Sequence, residues 1–315
     1  MKIRTPDVLR YKGTMRRALA LLAAAAMGNA LGGGTGCARA PSSLAPNFTG
    51  SIGLPHRGVL TNGAELPTEG AGYRTLFANE RHFGTPRFVA ILERAAAKVA
   101  RERPGSVLTI GDLSARTGGH ISSHSSHRSG RDADLLLYMS TLEGVPVISS
   151  SFVSVGTDGL AWDEPHRRFL RLDVERQWLL IKALVEDPEA RVQWLFVSHP
   201  VEAILLEWAR ARGESGETIV RAMDAMLQPG PPAQSHDDHV HVRIACTNEE
   251  VAAGCEPTGP VRPWIAALDA AASLPPAASE DPSTLELVTS LTLPIDRQGP
   301  ALAGAPTDAK PRTRD

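Results

Sequence analysis

"HRSGRDADLLLY", residues 127–138, opens as a polar turn and closes as an apolar run. Ser129-Gly130 marks the turn, and the apolar residues that follow read as a strand beginning near Asp132. The stretch therefore sets His127 on a loop seven residues before Asp134 on a strand. A second stretch, "HVHVRIAC" at 239–246, reads as a later strand. Side chains alternate across a strand, so His239 and His241 project from one face while Val240 and Val242 project from the other.

The segments around these two strands give the fold class. Over 85–101, Phe88, Val89, Leu92, Ala95, Ala96 and Val99 recur at helical spacing, with Thr85 as N-cap and Pro86 in the first turn. "SVLTIGDLS" (106–114) reads as a strand ending in a turn, "VERQWLLIKALVED" (174–187) as a helix, "VQWLFVS" (192–198) as a strand and "PVEAILLEWARAR" (200–212) as a helix. Strands and helices mix without strict βαβ alternation, which predicts an α+β domain with a central, mainly antiparallel sheet flanked by helices. Its expected bounds are 73–272.

The flanks read differently. Residues 1–40 carry Met15-Arg16-Arg17, then "ALALLAAAAMGNALGGG" and "TGCARAPSS", the pattern of an export signal. The polar stretch before Met15 is either a long n-region or untranslated, with Met15 as the start. Two endings fit: Cys37 as a lipidated cysteine in a weak lipobox, or cleavage after the "ARA" that ends at Ala40. Both lead out of the cytoplasm, to a periplasmic protein that is either soluble or anchored by lipid to the outer or inner membrane. The apolar run is shorter than the roughly 20 residues that a span requires. Residues 41–72, rich in Pro, Gly, Ser and Thr, read as a linker or irregular arm, and the Pro- and Ala-rich 273–315 as a disordered tail.

Composition excludes one class of partner. A net charge of -2 over 315 residues, with no run of Lys and Arg, argues against nucleic-acid binding. With Cys37 lipidated or removed, Cys246 and Cys255 remain as a pair, and in an exported protein the pair reads as a disulfide. Nothing in the sequence sets the oligomeric state.

The histidines carry the chemistry. Of ten, three lie in "GGHISSHSSHRSG" (His120, His124, His127) and three in "SHDDHVHVRI" (His236, His239, His241). A catalytic zinc takes three ligands from His, Asp or Glu and leaves a fourth position for water, whose pKa falls to about 7. His127, Asp134 and His241 supply such a set. Asp132 is either a partner that orients a ligand imidazole or a solvated strand-end charge. Arg116, Arg128 and Arg131, beside the histidine loop, are candidates to hold substrate carboxylates, or are solvated.

These motifs resemble those of the penicillin-insensitive murein endopeptidases. "IGDLS" and the following "GG" at 110–119, H-x-x-H-x-x-G-x-D-x-D from His124 to Asp134, and H-x-x-H-x-H-V-R from His236 to Arg243 appear in that family's order. The similarity spans roughly residues 80–256, with "FVSHPV" and "VERQW" between the motifs. The resemblance implies zinc on His127, Asp134 and His241, a catalytic His239 beside it, and further active-site histidines at His124 and His236. It implies a periplasmic zinc metallopeptidase acting on peptidoglycan cross-links.

Two other readings stand beside it. Zinc D,D- and L,D-carboxypeptidases carry S-x-H-x-x-G-x-A-x-D, which Ser125, His127, Gly130 and Asp134 satisfy, but Asp132 replaces the alanine. They also carry Glu-x-Trp ahead of the last H-x-H, where this chain has "HDDHVH", leaving Asp238 or His239 to serve as base. A noncatalytic wall-binding module with a structural metal would show the same clusters.

Overall fold

The structure, a computed structural model, describes residues 48–231, 233–260 and 262–265. The export signal, Cys37 and the 273–315 tail lie outside the described residues. The described chain opens with the hairpin β1 (Gly50–Leu54) and β2 (Arg57–Thr61). Short strands β3 (Ala64–Glu65), β4 (Glu69–Gly70), β5 (Tyr73–Thr75) and β6 (Phe83–Gly84) lead to α1 (Pro86–Glu102). Then come β7 (Leu108–Ile110), β8 (Asp132–Leu136), β9 (Met139–Ser140), β10 (Pro146–Val147), β11 (Leu160–Asp163), β12 (Arg168–Leu172) and α2 (Val174–Glu186). The chain continues through β13 (Val192–Phe196), α3 (His199–Ala211), α4 (Gly216–Ala225), β14 (Met226–Leu227), β15 (His239–Ile244) and α5 (Asn248–Ala252).

The fold is α+β. Its central sheet runs β14-β13-β15-β8-β7-β5-β4. Neighbours are antiparallel except for β13 with β14 and β7 with β5. The two stretches that opened the sequence reading lie side by side, with His241 opposite Asp134, Arg243 opposite Asp132 and His239 opposite Leu136. Alternation then divides the two faces. Ala133, Leu135, Val240 and Val242 are fully buried in the hydrophobic core, while the His and Asp residues point to the other side of the sheet.

Helices close the apolar side. In α1 the Thr85 hydroxyl accepts the amide of Phe88 at 3.3 Å, Pro86 fills the first turn, and Phe88, Val89, Ile91, Leu92, Ala95, Ala96 and Val99 are buried. Truncating a fully buried leucine such as Leu92 to alanine costs about 2–5 kcal/mol. α1 packs on α2, and α2 on α3 and α4. No helix among the described residues is long and apolar enough to cross a membrane.

The stretch expected as an irregular arm, 41–72, is built of strands from Gly50 onward. Its order comes from distant partners. Leu60 donates to Thr117 O at 3.0 Å, Gly53 donates to Gly254 O at 2.9 Å, and the Arg131 guanidinium bonds Ser51 Oγ at 3.0 Å. Short strands held by such long-range bonds carry no hydrophobic period of their own. A second, four-stranded sheet, β10-β9-β12-β11, continues from the end of β8.

Candidate metal centre

Three atoms meet on the polar side of the β8–β15 pair. His127 Nε2 lies 3.2 Å from Asp134 Oδ1, His241 Nδ1 lies 3.1 Å from the same oxygen, and the two nitrogens are 3.2 Å apart. Arms of about 2.0–2.1 Å in a tetrahedron give an edge of roughly 3.3 Å, so the triangle is the size of one face of a tetrahedral zinc site. Asp134 Oδ1 is buried with no hydrogen-bond partner among the described residues, although nearly all buried polar atoms have one. A divalent cation would satisfy it, and the donor set fits zinc.

Each imidazole of the triangle is fixed by its other nitrogen. His127 donates Nδ1–H to Leu113 O at 2.7 Å, which leaves Nε2 for the centre. His241 donates Nε2–H to Asp132 Oδ1 at 3.0 Å, which leaves Nδ1. Asp132 is fully buried and also takes Arg243 Nε at 2.6 Å and the His127 amide at 3.3 Å. Of the two readings open for Asp132, its burial rules out a solvated charge, and it holds the His241 imidazole in place.

Local backbone explains the loop. His127 adopts φ 63°, a left-handed conformation rare outside glycine that needs a supporting frame. Gly130, at φ 72°, supplies part of it, because a Cβ there would come within 2.7 Å of Leu60 Cδ1. The turn thus packs against the β1–β2 hairpin.

Further histidines ring the centre. Groups with metal-binding spacing occur twice, His124–His127–Asp134 and His236–His239–His241, and the tightest triangle draws on both. His239 donates Nδ1–H to Asp238 Oδ1 at 2.5 Å and turns Nε2 toward Asp134 Oδ1 at 3.5 Å. His236, at φ 54°, donates Nδ1–H to Gln234 O at 2.8 Å. His124 donates Nε2–H to Asp112 Oδ2 at 3.0 Å, and Asp112 also accepts from Asn79 and Arg81, each at 3.0 Å. All three line a cleft of about 960 Å³ together with His127, Asp134 and His241.

The arginines singled out in the sequence go elsewhere. Arg131 is fully buried, bonding Ser51 and the carbonyls of Gly53, Ile244 and Glu256, because the β1–β2 hairpin closes over it. Arg116 is exposed over the Phe83 ring, neither it nor Arg128 lines the cleft, and His120 is exposed away from it. The cleft's arginines are instead Arg81 and Arg243. Its apolar walls, Phe77, Phe152 and Phe196, were also missed, since isolated aromatics give no spacing signal.

The charges of the centre are mutually dependent. Burial opposes a charge on His127, but the carboxylates of Asp134 and Asp132 outweigh it and hold the imidazole up to about 9. Burial likewise opposes ionisation of Asp134 and Asp132, yet His127 and His241 beside the first, and Arg243 and His241 beside the second, keep both well below the usual carboxylate range. Burial and then the neighbouring His239 push His236 down to about 4. His239, despite its burial, is held above its ordinary value by Asp238. Two buried carboxylates thus demand positive charge, which protons or a divalent cation supply in competition.

Fold and cleft together define an α+β domain whose cleft gathers histidines and carboxylates in metal-binding spacing. The family model of the penicillin-insensitive murein endopeptidases matches residues 51–264. A penicillin-insensitive murein endopeptidase of Haemophilus influenzae is 29% identical over 218 residues, covering 67% of this chain and 68% of that protein. Those of Pectobacterium atrosepticum and Yersinia pestis are 35% and 36% identical over 91 residues, covering 28% of this chain and 32% and 33% of theirs. The chain belongs to the penicillin-insensitive murein endopeptidase family.

Proposed function

We propose that this protein is a zinc-dependent endopeptidase of the periplasm that hydrolyses the amide cross-links of peptidoglycan between D-alanine and the side-chain amine of a diamino acid. The observation that carries the reading is the triangle of His127 Nε2, Asp134 Oδ1 and His241 Nδ1 around an otherwise unpartnered buried oxygen. These three residues would hold the ion. Zinc, when bound, supplies a Lewis acid for the carbonyl and a water acidic enough to attack at neutral pH.

The chain's own groups do the rest. His239, oriented by Asp238, presents Nε2 to the cleft, where it accepts or returns a proton or stabilises the developing oxyanion. His124, fixed by Asp112, and His236, fixed by Gln234 O, add further imidazoles to the cleft in which the amide would sit. Ser123, Ser125 and Ser126 line the cleft, but among the described residues no serine side chain hydrogen-bonds a histidine. A serine nucleophile needs such a base. β-Lactams act by acylating serine, so they should leave this enzyme active.

An export signal at 1–40 would deliver the protein to its substrate, with Cys37 as the point of any lipid anchor. The test is to incubate zinc-loaded protein with cross-linked muropeptides and identify the products by mass spectrometry. Conversion of cross-linked dimers to monomers is expected. Loss of terminal D-alanine alone would make it a carboxypeptidase, and binding without hydrolysis a wall-binding module.

A further inference from the structure

The outward face of the β11–β12 hairpin is at odds with a surface that meets only water. Its alternation is regular: Ala161, Asp163, Leu170 and Leu172 point inward and are buried, while Leu160, Trp162, Phe169 and Arg171 point outward. The outward residues form two cross-strand pairs, Leu160 opposite Arg171 and Trp162 opposite Phe169. Trp162 is 43% and Phe169 57% exposed, with ring centroids 4.9 Å apart. The indole N–H of Trp162 bonds Glu164, so the ring is held rather than free to fold away. A grouped, ordered, exposed aromatic pair marks a contact surface more often than a scattered apolar residue does.

The hairpin face runs into a cleft of about 610 Å³ lined by Leu160, Arg171, Trp208 and Arg212. The carboxylates that line it are already engaged: Asp173 with Arg176 at 2.7 Å, Glu175 with Arg103, and Asp158 with the Leu160 amide at 3.0 Å. Arg171 donates to Ser140 Oγ at 3.4 Å and Arg212 lies over the Trp208 ring at 5.3 Å. Neither makes an ion pair with a carboxylate among the described residues. The patch thus combines an aromatic platform with two guanidinium groups that no carboxylate holds in an ion pair among the described residues, Arg171 lying only in the longer-range field of Glu143 and Arg212 in that of Glu175. Arginine binds carboxylates in fork geometry.

The platform is wired to the metal centre by one strap. Val155 pairs with Ala161 of β11 and donates its amide to Asp237 O at 2.9 Å, on the loop between His236 and His239. On the same strap, Phe152 meets the His239 ring edge-on at 5.3 Å.

We infer that the outward β11–β12 face and its adjoining cleft are a second murein-binding surface, on which Trp162 and Phe169 take sugar rings and Arg171 and Arg212 take carboxylates of the stem peptides. The inference rests on the proposed substrate. A polymer with sugar rings and peptide carboxylates in every repeat matches both halves of the patch in chemistry and in charge. A second contact on one long polymer raises its apparent affinity through effective concentration, and does nothing for a fragment that reaches the metal cleft alone.

The experiment uses the full chain as parent, Trp162→Ala/Phe169→Ala, Arg171→Ala/Arg212→Ala, and the conservative Trp162→Tyr and Arg171→Lys. Binding is read by co-sedimentation of metal-stripped protein with insoluble murein sacculi, so it needs no hydrolysis. Rates are read on sacculi and on a soluble cross-linked muropeptide dimer. Each double alanine variant should lose about 10-fold in sacculus binding and in rate on sacculi, the size expected for removing anchoring aromatic or Arg side chains. The rate on the soluble dimer should stay within about 2-fold of the parent. The conservative variants should keep most of the binding. Unchanged sacculus binding, or equal loss on both substrates, overturns the inference. So does binding that falls for phosphatidylethanolamine–phosphatidylglycerol vesicles and not for sacculi. If the parent hydrolyses no murein yet sediments with sacculi in a Trp162- and Arg171-dependent way, the proposed activity fails and the second surface stands.

Discussion

Asp132 Oδ1 accepts the Nε2–H of His241 at 3.0 Å, and that bond turns the ring's other nitrogen to Asp134 Oδ1 at 3.1 Å. The β8–β15 register creates the relationship by setting Arg243 opposite Asp132 and His241 opposite Asp134. Replacing Asp132 by Asn keeps the shape but removes the charge that makes the imidazole a stronger donor. Asp132→Asn should weaken zinc binding by roughly 10- to 100-fold. Competition with a chromogenic chelator measures this, and parental affinity in the variant would deny Asp132 its role.

The triangle of His127, Asp134 and His241 makes a sharper demand as a proposed ligand set. His127→Ala, Asp134→Ala and His241→Ala should each lower bound zinc and abolish hydrolysis. The far-UV spectrum should change little, since the three residues lie on a loop and on the polar side of the sheet. Metal analysis of purified variants decides it. Stoichiometric zinc in His241→Ala would remove that residue from the ligand set.

His239 should behave differently, although it lies on the same face of β15 as His241. Its Nδ1 is taken by Asp238 and its Nε2 stands 3.5 Å from Asp134 Oδ1, outside the tight triangle. His239→Ala should therefore retain most zinc and lose activity by about 10²-fold or more. If metal analysis finds zinc lost as fully as in His241→Ala, His239 is a ligand.

Acid should act through Asp112. Burial alone would raise its pKa, but hydrogen bonds from His124, Asn79 and Arg81 hold it down to about 2 from an ordinary 3.8. A carboxylate depressed in the folded state stabilises the fold above its unfolded value and loses that contribution as pH falls through the folded one. In metal-stripped protein, Asp112→Asn should lower the melting temperature at pH 7, and the gap to the parent should narrow between about pH 4 and pH 2. A gap independent of pH would show that Asp112 acts through packing alone.

Much of this centre was legible because its signals are local. The His-x-His of β15 sits on one face by strand geometry alone, and His127 and Asp134 fall within one loop-to-strand junction. Regular apolar spacing likewise placed α1 and α2 to within a residue or two. What escaped depends on distant partners. The β1–β2 hairpin owes its order to bonds from residues 117–131 and 254–256. The helix α4, only ten residues long, was also missed, although Ser215 caps it and its small inward residues Ala222 and Ala225 follow a helical spacing. Arg131 reads as a loop cation, yet the hairpin closing over it makes it a fully buried clamp.

The disulfide joins that clamp to the metal centre. Cys246 follows β15 and bonds Cys255, both buried. Cys255 bridges to Gly53 of β1, and the next residue, Glu256, donates to Gly53 O at 3.0 Å while its own carbonyl accepts from Arg131. The exit of the strand carrying His239 and His241 is thus tied to the hairpin that supports the His127 turn. A disulfide typically contributes about 2–4 kcal/mol. Cys246→Ser/Cys255→Ser should melt lower than the parent and release zinc faster to a chelator, and protein recovered from the cell envelope should show no free thiol from this pair. Alkylation of both cysteines without reductant, or a double variant that matches the parent in melting and metal retention, would show that the bond does not hold the site.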